Sequence, residues 1–188
     1  MMKDIINNLT NDELDRLDMG DFIYIDSPEY QSYYVGNSSK EHYRLLRYLS
    51  NQVSDSILID IGTLKGSSAL ALSQNKTNTV YSFNVHNELQ LNQLPSNINF
   101  IIGHVMNEEY KNLIFSSKII LLDTFHDGTF EKQFFDYLLS IDYKGCLILD
   151  DIHLNPSMEK FWREISGVVD KKDISNIGHW SGTGCVYF

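Results

Sequence analysis

The sequence predicts an α/β fold wound around a mostly parallel sheet. Three observations predict it: short, near-continuously apolar β-branched runs, helical stretches alternating with them, and a chain of 188 residues, 43% hydrophobic and 21% charged, that suits one compact domain. The runs at 56–61, 79–85, 98–102, 118–122 and 145–149 read as strands buried on both faces. Between them, 67–74, 108–115 and 130–140 carry helical composition or periodicity, while 89–94 is ambiguous because Pro95 soon ends it. Such βαβ units wind right-handed and place helices on both faces of the sheet. The tail changes character. Residues 156–165 suit a helix with Pro156 in its first turn, and 174–179 and 183–188 read as two strands joined at Ser181-Gly182, an antiparallel pair that closes the sheet.

Residues 1–37 are polar and aromatic without sustained periodicity, and end at the Gly36-Asn37 turn signal. They read as an arm or lid ahead of a single domain at 38–188. Ser38 and Glu41 have the spacing of a capping box, and Leu45, Leu46, Leu49 and Val53 then recur at helical spacing, so a helix is expected from about 39 to 53. Tyr24, Tyr30, Tyr33 and Tyr34 give large contact area with polar tips, which suits a cover over a partly polar ligand. Packing against outer helices or a second subunit would use them equally well. His42 and Tyr43 open the capped helix, where they could reach the glycine edge, although a surface histidine is the preferred reading.

Fifteen Lys plus Arg against twenty-five Asp plus Glu give a formal charge of -10, with no local basic patch. The field repels polyanions, so a nucleic-acid partner is not expected. No apolar run approaches the ~20 residues of a membrane span, and residues 1–15 are too polar for a signal peptide, so a soluble, cytoplasmic protein without a membrane partner is expected. Cys146 and Cys185 have no C-x-x-C spacing and read as small buried apolar residues. The chain has no G-x-S-x-G elbow and no phosphate-cradling G-x-x-x-x-G-K-[ST].

The most informative segment is the turn after the first strand, where Asp60, Gly62 and Gly66 hand over to a helix opening at Ser67. In an open α/β sheet, ligands bind at the carboxyl ends of the strands, and glycines there let backbone approach them. The helix opening also offers free N–H groups. A dinucleotide site needs glycine two residues after Gly62, where Leu64 stands, and no Tyr is followed four residues later by Lys. Nicotinamide chemistry is therefore disfavoured. The same glycines would also serve a plain strand-to-helix turn.

Asp60-x-Gly62-x-x-x-Gly66-x-Ser68 resembles the first motif of class I S-adenosylmethionine-dependent methyltransferases, and more narrowly of small-molecule and sugar O-methyltransferases. The resemblance covers roughly 38–188. It implies a Rossmann-like seven-stranded sheet of order 3-2-1-4-5-7-6 with the last strand antiparallel, and a cofactor site at Asp60, Gly62, Thr63, Gly66, Ser67, Ser68 and Asp123. Two positions depart from the pattern. Asn84 ends the second strand where the family usually has an acid for the ribose hydroxyls, and loss of charge assistance there weakens binding by roughly 1 kcal/mol or more. His104 follows the third strand where an acid commonly meets the adenine amino group, and an imidazole can stack or donate instead.

The fourth strand ends at Asp123 and the fifth at Asp150-Asp151. Parallel strands open on the same edge, so the three carboxylates converge beside the glycine turn and repel one another unless a cation or protons compensate them. Hard oxygen donors with open positions suit Mg²⁺ or another divalent cation. Acids at strand ends also cap helices. The layout resembles metal-dependent O-methyltransferases of the catechol and macrolide-sugar type. His126, three residues past Asp123, stands where catechol-type relatives carry a general-base lysine, and an imidazole there can take a proton from a hydroxyl held by the cation. It would serve equally as a loop histidine. His153 and His179 are secondary candidates, and Trp180 offers an apolar or sugar-stacking wall.

The expected activity is methyl transfer from S-adenosylmethionine to a hydroxyl of a small polar acceptor, a sugar, polyol or glycan, with Mg²⁺ assistance; a homo-oligomer is compatible with it. Asn84 and His104 keep open a second reading, a binding or assembly module with this fold and no catalysis.

Overall fold

The computed structural model describes residues 2–188, with the side chains of 37–41 and of 166 outside the described residues. Five runs form strands where expected: β1 (Ile57–Ile61), β2 (Thr79–Asn84), β3 (Ile98–Ile102), β4 (Ile119–Leu122) and β5 (Cys146–Asp150). All pair in parallel, and the complete sheet has seven strands in the order β3-β2-β1-β4-β5-β7-β6. Here β6 is Asp170–Asp173 and β7 is Thr183–Tyr187, and β7 runs antiparallel between β5 and β6. This is the order that the resemblance implied.

The period-2 alternation of the strands divides the core into two layers. Leu58, Val80, Leu121, Ile148 and Cys185 face one cluster, and Ile59, Phe83, Ile120, Leu147 and Val186 face the other. The first layer is covered by α4 (Asn37–Asn51), α5 (Ser67–Leu72) and the N-terminal segment, the second by α6 (Lys111–Ser116), α7 (Thr129–Ser140) and α8 (Pro156–Glu164). The helix at 89–94 does not form: Leu91 makes an isolated bridge with Ile25. Cys146 and Cys185 are free and buried with their sulfurs 3.0 Å apart across β5 and β7.

Residues 2–35 fold into the short helices α1 (Met2–Asn8), α2 (Asn11–Asp15) and α3 (Pro28–Val35), with a 3₁₀ turn at Gly20–Tyr24. Each turn sends one or two apolar side chains inward, among them Ile6, Leu14, Ile25 and Tyr34, too few per element to give a long periodic signal. Arg47 of α4 is buried and donates to the Asp18 carbonyl, to Asp21 and, at 2.9 Å, to the Tyr34 hydroxyl, so this segment is tied to the helix behind the sheet. Helix α4 starts at Asn37 with Gly36 as its N-cap. The Ser38–Glu41 capping box falls on side chains outside the described residues.

The final pair corrects the sequence reading. The sixth strand is Asp170–Asp173, charged at every position, and not the apolar stretch 174–179. At the sheet edge this strand needs no apolar face, whereas Ile174 and Ile177 turn under the sheet and are buried there. Ser181-Gly182 lies in the following loop, where Gly182 takes φ +105.

Just beyond the paired strands β1 and β4 the two segments approach closely. A Cβ placed on Gly62 would lie 1.6 Å from the Asp123 carbonyl oxygen, and the backbone there has φ +93. Gly62→Ala is expected to destabilise the protein by at least about 1–3 kcal/mol, read as a lower urea-unfolding midpoint. An unchanged midpoint would contradict this placement.

Candidate functional site

The glycine turn, the ends of β2 and β3 and the loop after β4 surround a cavity of about 440 Å³ at the carboxyl edge of the sheet. Gly62, Thr63, Ser67, Ser68, Asn84, His104, Asp123 and His126 all line it. Two residues of the expected set do not. Asp60 is wholly buried beneath the turn, where Ser82 donates to it at 2.9 Å, and Gly66 packs against Leu89 and Leu91, which a Cβ there would meet at 2.8–2.9 Å. Burial pushes the Asp60 carboxyl up to about 6 against the pull of the hydroxyls around it. The buried hydroxyls of Thr63 and Ser67 face Asp60 and Tyr43 without making a hydrogen bond of good geometry, and one oxygen of Asp60 is left in the same state. Such orphaned groups beside a cavity of this size fit a polar ligand with donors and acceptors of its own.

The far wall is aromatic. His104 stands edge-on to Phe130 at 5.7 Å, and Phe125 does the same at 6.5 Å, its ring 72% exposed. Asn84 turns its amide oxygen to the N–H of Val85 at 3.1 Å, which leaves the amide NH₂ as its free group. Tyr30 and Tyr43 complete the rim. The N-terminal segment is fixed over it by backbone bonds: Asp26 donates to Gln90 at 2.7 Å, Asn92 to Tyr24 at 2.8 Å, and Gln90 to Lys65 at 3.1 Å.

Beside the cavity the three strand-end acids do converge, and three histidines meet them. His126 Nε2 lies 3.3 Å from Asp123 Oδ1 and 3.6 Å from Asp151 Oδ2. His179 Nδ1 lies 3.4 Å from Asp150 and 3.3 Å from Asp151, and 3.0 Å from the Ser181 hydroxyl, which also binds Asp151. His42 Nδ1 lies 3.5 Å from Asp150 Oδ1. The surface position read for His42 is therefore wrong. It is 5% exposed, because α4 lies against α5 and turns its N-terminal half toward the sheet edge. His179 also belongs to the cluster, whereas His153 pairs with Asp173 at 2.7 Å on an exposed strand end. Nothing in the local sequence distinguishes the three, since position on the edge is a tertiary property.

Burial opposes charge on His126 and His179, yet the carboxylates facing them win. They hold His126 up at about 8 through Asp123 first, and His179 at about 10 through Asp150 and Asp151. Burial and the nearby Asp150 raise Asp123, while Asp151, despite burial, is held below the usual carboxylate range by His179 and Ser181.

The loop that carries His126 is braced from below. Glu131 is 1% exposed and accepts from the Thr124 hydroxyl at 2.9 Å and from the N–H groups of His126 and Gly128 at 3.0 and 2.9 Å. Asn155 donates to the His126 carbonyl at 2.7 Å. His126 and Asp151 both have left-handed backbone, φ 54 and φ 58, a conformation that costs energy for residues with a Cβ and is held by such bonds. Glu131 and Asn155 escaped the sequence reading. The available signal was Glu131 three residues after Gly128, the half of a capping box in which the glutamate accepts from the N-cap N–H.

No family model matches the chain, and no curated protein matches it in sequence. Solved structures do match. The SAH-bound methyltransferase PaMTH1 of Podospora anserina superposes with a TM-score of 0.65 at 12% identity, over 90% of this chain and 87% of that one. The O-methyltransferase TomG of Streptomyces achromogenes, in complex with SAM, gives 0.61 at 12% over 82% and 84%. The Bacillus cereus O-methyltransferase in complex with SAH gives 0.54 at 14% over 95% and 90%. The likeness is one of fold: this chain has the Rossmann-like class I methyltransferase fold. Among the described residues no helix is long and apolar enough to cross a membrane.

Both raised histidines sit above their usual 6.5, so in a chelator the stability they contribute is complete below about pH 6.5. It is lost as the pH rises through about 8 for His126 and about 10 for His179. His179→Gln is expected to flatten the upper part of the Tm-against-pH curve. A slope identical to that of the parent chain would contradict the pairing.

Proposed function

We propose that this chain, on its class I methyltransferase fold, transfers a methyl group from S-adenosylmethionine to a hydroxyl of a small polar acceptor. The observation that carries the reading is that Asp123 and His126 belong both to the cavity wall and to the Asp–His cluster beside it. A methyl donor in the cavity and a hydroxyl at the cluster would thus meet at shared side chains.

In this reading Gly62, Thr63, Ser67 and Ser68 hold the amino-acid end of the cofactor, Asn84 and His104 its nucleoside, and Asp60 stiffens the turn from beneath. Asp123, Asp150 and Asp151 would hold Mg²⁺ or another divalent cation. When bound, the sulfonium cofactor supplies an electrophilic methyl group, and the cation supplies charge that orients and acidifies the acceptor hydroxyl. His126 Nε2 would take the hydroxyl proton as the acceptor oxygen gains the methyl group, the electron pair of the broken C–S bond staying with the cofactor's sulfur. His126 keeps its own proton at neutral pH while carboxylates face it unneutralised, and becomes a competent base once their charge is balanced. Glu131 and Asn155 hold its loop in place, and positioning of the two reactants supplies much of the acceleration. Phe125, 72% exposed on the cavity wall, offers a flat apolar face that suits a sugar or polyol, whereas Trp180 lines a separate groove with Leu14 and Arg44.

A specific observation favours a second reading, a cofactor-free binding or assembly module: the neutral Asn84 oxygen already accepts from the Val85 N–H, which leaves one lone pair and no carboxylate charge for the ribose hydroxyls. Calorimetry with S-adenosylhomocysteine separates the two. Micromolar binding is expected, and its absence up to millimolar ligand would move the assembly reading to first place.

Asp150→Ala together with Asp151→Ala is expected to abolish cation-dependent turnover of a hydroxyl acceptor while the fold survives. Full activity in excess chelator would remove the cation from the mechanism.

A further inference from the structure

We infer that His42 joins Asp123 and Asp150 in a mixed imidazole–carboxylate centre that selects a first-row transition-metal dication over Mg²⁺. The inference deepens the proposed function and depends on it only for what the ion does there.

Three facts place the centre. His42 Nδ1 and one carboxylate oxygen from each of Asp123 and Asp150 lie within 4.8 Å of one another. Donors bound at ~2.1 Å to one ion are about 3.0 Å apart when adjacent and 4.2 Å when opposite, so a small closing movement satisfies the geometry. His42 and Asp150 are each 5% exposed, and both His42 Nδ1 and Asp150 Oδ1 lack a hydrogen-bond partner inside the protein. A buried imidazole nitrogen without a hydrogen bond, aimed at a buried carboxylate oxygen 3.5 Å away that also faces His179 Nδ1 at 3.4 Å, is a donor pair open to an acceptor of electron pairs.

The remaining histidines have other commitments. His179 Nδ1 faces Asp150 too, but it is shared with Ser181 and Asp151 and serves the acids from outside. His126 Nε2 is likewise without a hydrogen bond, but it lies against Asp123 and Asp151 and borders the cavity. A second donor set, His126 with Asp150 and Asp151, is also within 4.8 Å, but Asp151 is already held by Ser181 and His179.

The donor types decide the metal. Mg²⁺ demands near-octahedral oxygen donors and gives up water reluctantly. Imidazole suits zinc, iron, nickel and copper, and affinity at nitrogen-containing sites rises along the later first-row dications. One nitrogen and two carboxylate oxygens leave open positions for an acceptor hydroxyl and water. The Mg²⁺ expected from three carboxylates alone assumed an all-oxygen set; α4 adds a nitrogen that strand-end spacing cannot reveal.

The test uses the full chain, stripped with chelator and titrated with Mg²⁺, Mn²⁺ or Co²⁺ alone. Co²⁺ and Mn²⁺ are expected to bind at least about tenfold tighter than Mg²⁺, with a ¹⁴N coupling to bound Mn²⁺ in pulsed electron paramagnetic resonance. His42→Asn should abolish the coupling and weaken Co²⁺ at least about tenfold, the lower bound for lost outer-shell partners, while Tm in chelator and S-adenosylhomocysteine binding hold. If that variant fails to fold, persistence of the coupling in a His126→Asn, His179→Asn double variant assigns it to His42, and its disappearance there overturns the proposal. Equal or tighter Mg²⁺ binding, binding of no dication, or a coupling that survives His42→Asn also overturns it. Co²⁺ binding through His42 without S-adenosylhomocysteine binding would leave the metal centre standing and end the methyltransferase reading.

Discussion

The contact between Gly62 and the Asp123 carbonyl holds the two halves of the site together. β1 and β4 run side by side through Ile61 and Leu122, and Asp123 donates its N–H to the Ile61 carbonyl at 3.0 Å. Beyond that bond the chains must part, one into the glycine turn and the other into the His126 loop. They can do so at such close range only because Gly62 has no Cβ. The cavity on one side and the acidic cluster on the other thus share a wall whose geometry is fixed by backbone.

Charge is the second constraint. In a protein of net charge -10, three carboxylates are packed at one sheet edge and faced by three imidazoles from separate elements. The cluster is not closed by hydrogen bonds, since His42 Nδ1, His126 Nε2 and Asp150 Oδ1 each lack one. A structural ion-pair network would close such gaps, because unpaired buried polar groups cost stability without return. The left-handed backbone of His126 and Asp151 points the same way: strain is kept at the site and supported by Glu131, Asn155 and Ser181.

The N-terminal helices connect these features to the rest of the core. Their bonds to the segment around Gln90 hold Tyr30 at the cavity rim, and Arg47 anchors them to α4, the helix that also carries His42 and Tyr43. A change in how this segment packs would therefore reach both the cavity and the His42 donor through one helix.

The parallel core was legible in the sequence because strands buried on both faces must be continuously apolar, and the convergence of Asp123, Asp150 and Asp151 followed from parallel direction alone. Gly62, Thr63 and Ser68 were legible for a related reason, since the turn after the first strand has few solutions. Three things were not. β6 is an edge strand that needs no apolar pattern, so the buried turn at Ile174 and Ile177 mimicked it. Glu131 works through a loop whose path local propensity does not determine. His42 sits on a helix whose sequence marks a buried face but not what that face meets. Sequence alone determined the α/β class and the edge on which chemistry gathers, because periodicity and strand direction are local. Tertiary structure decided which histidines reach the acids, because that depends on how α4 and the loop before β7 pack against a sheet whose spacing no short segment encodes.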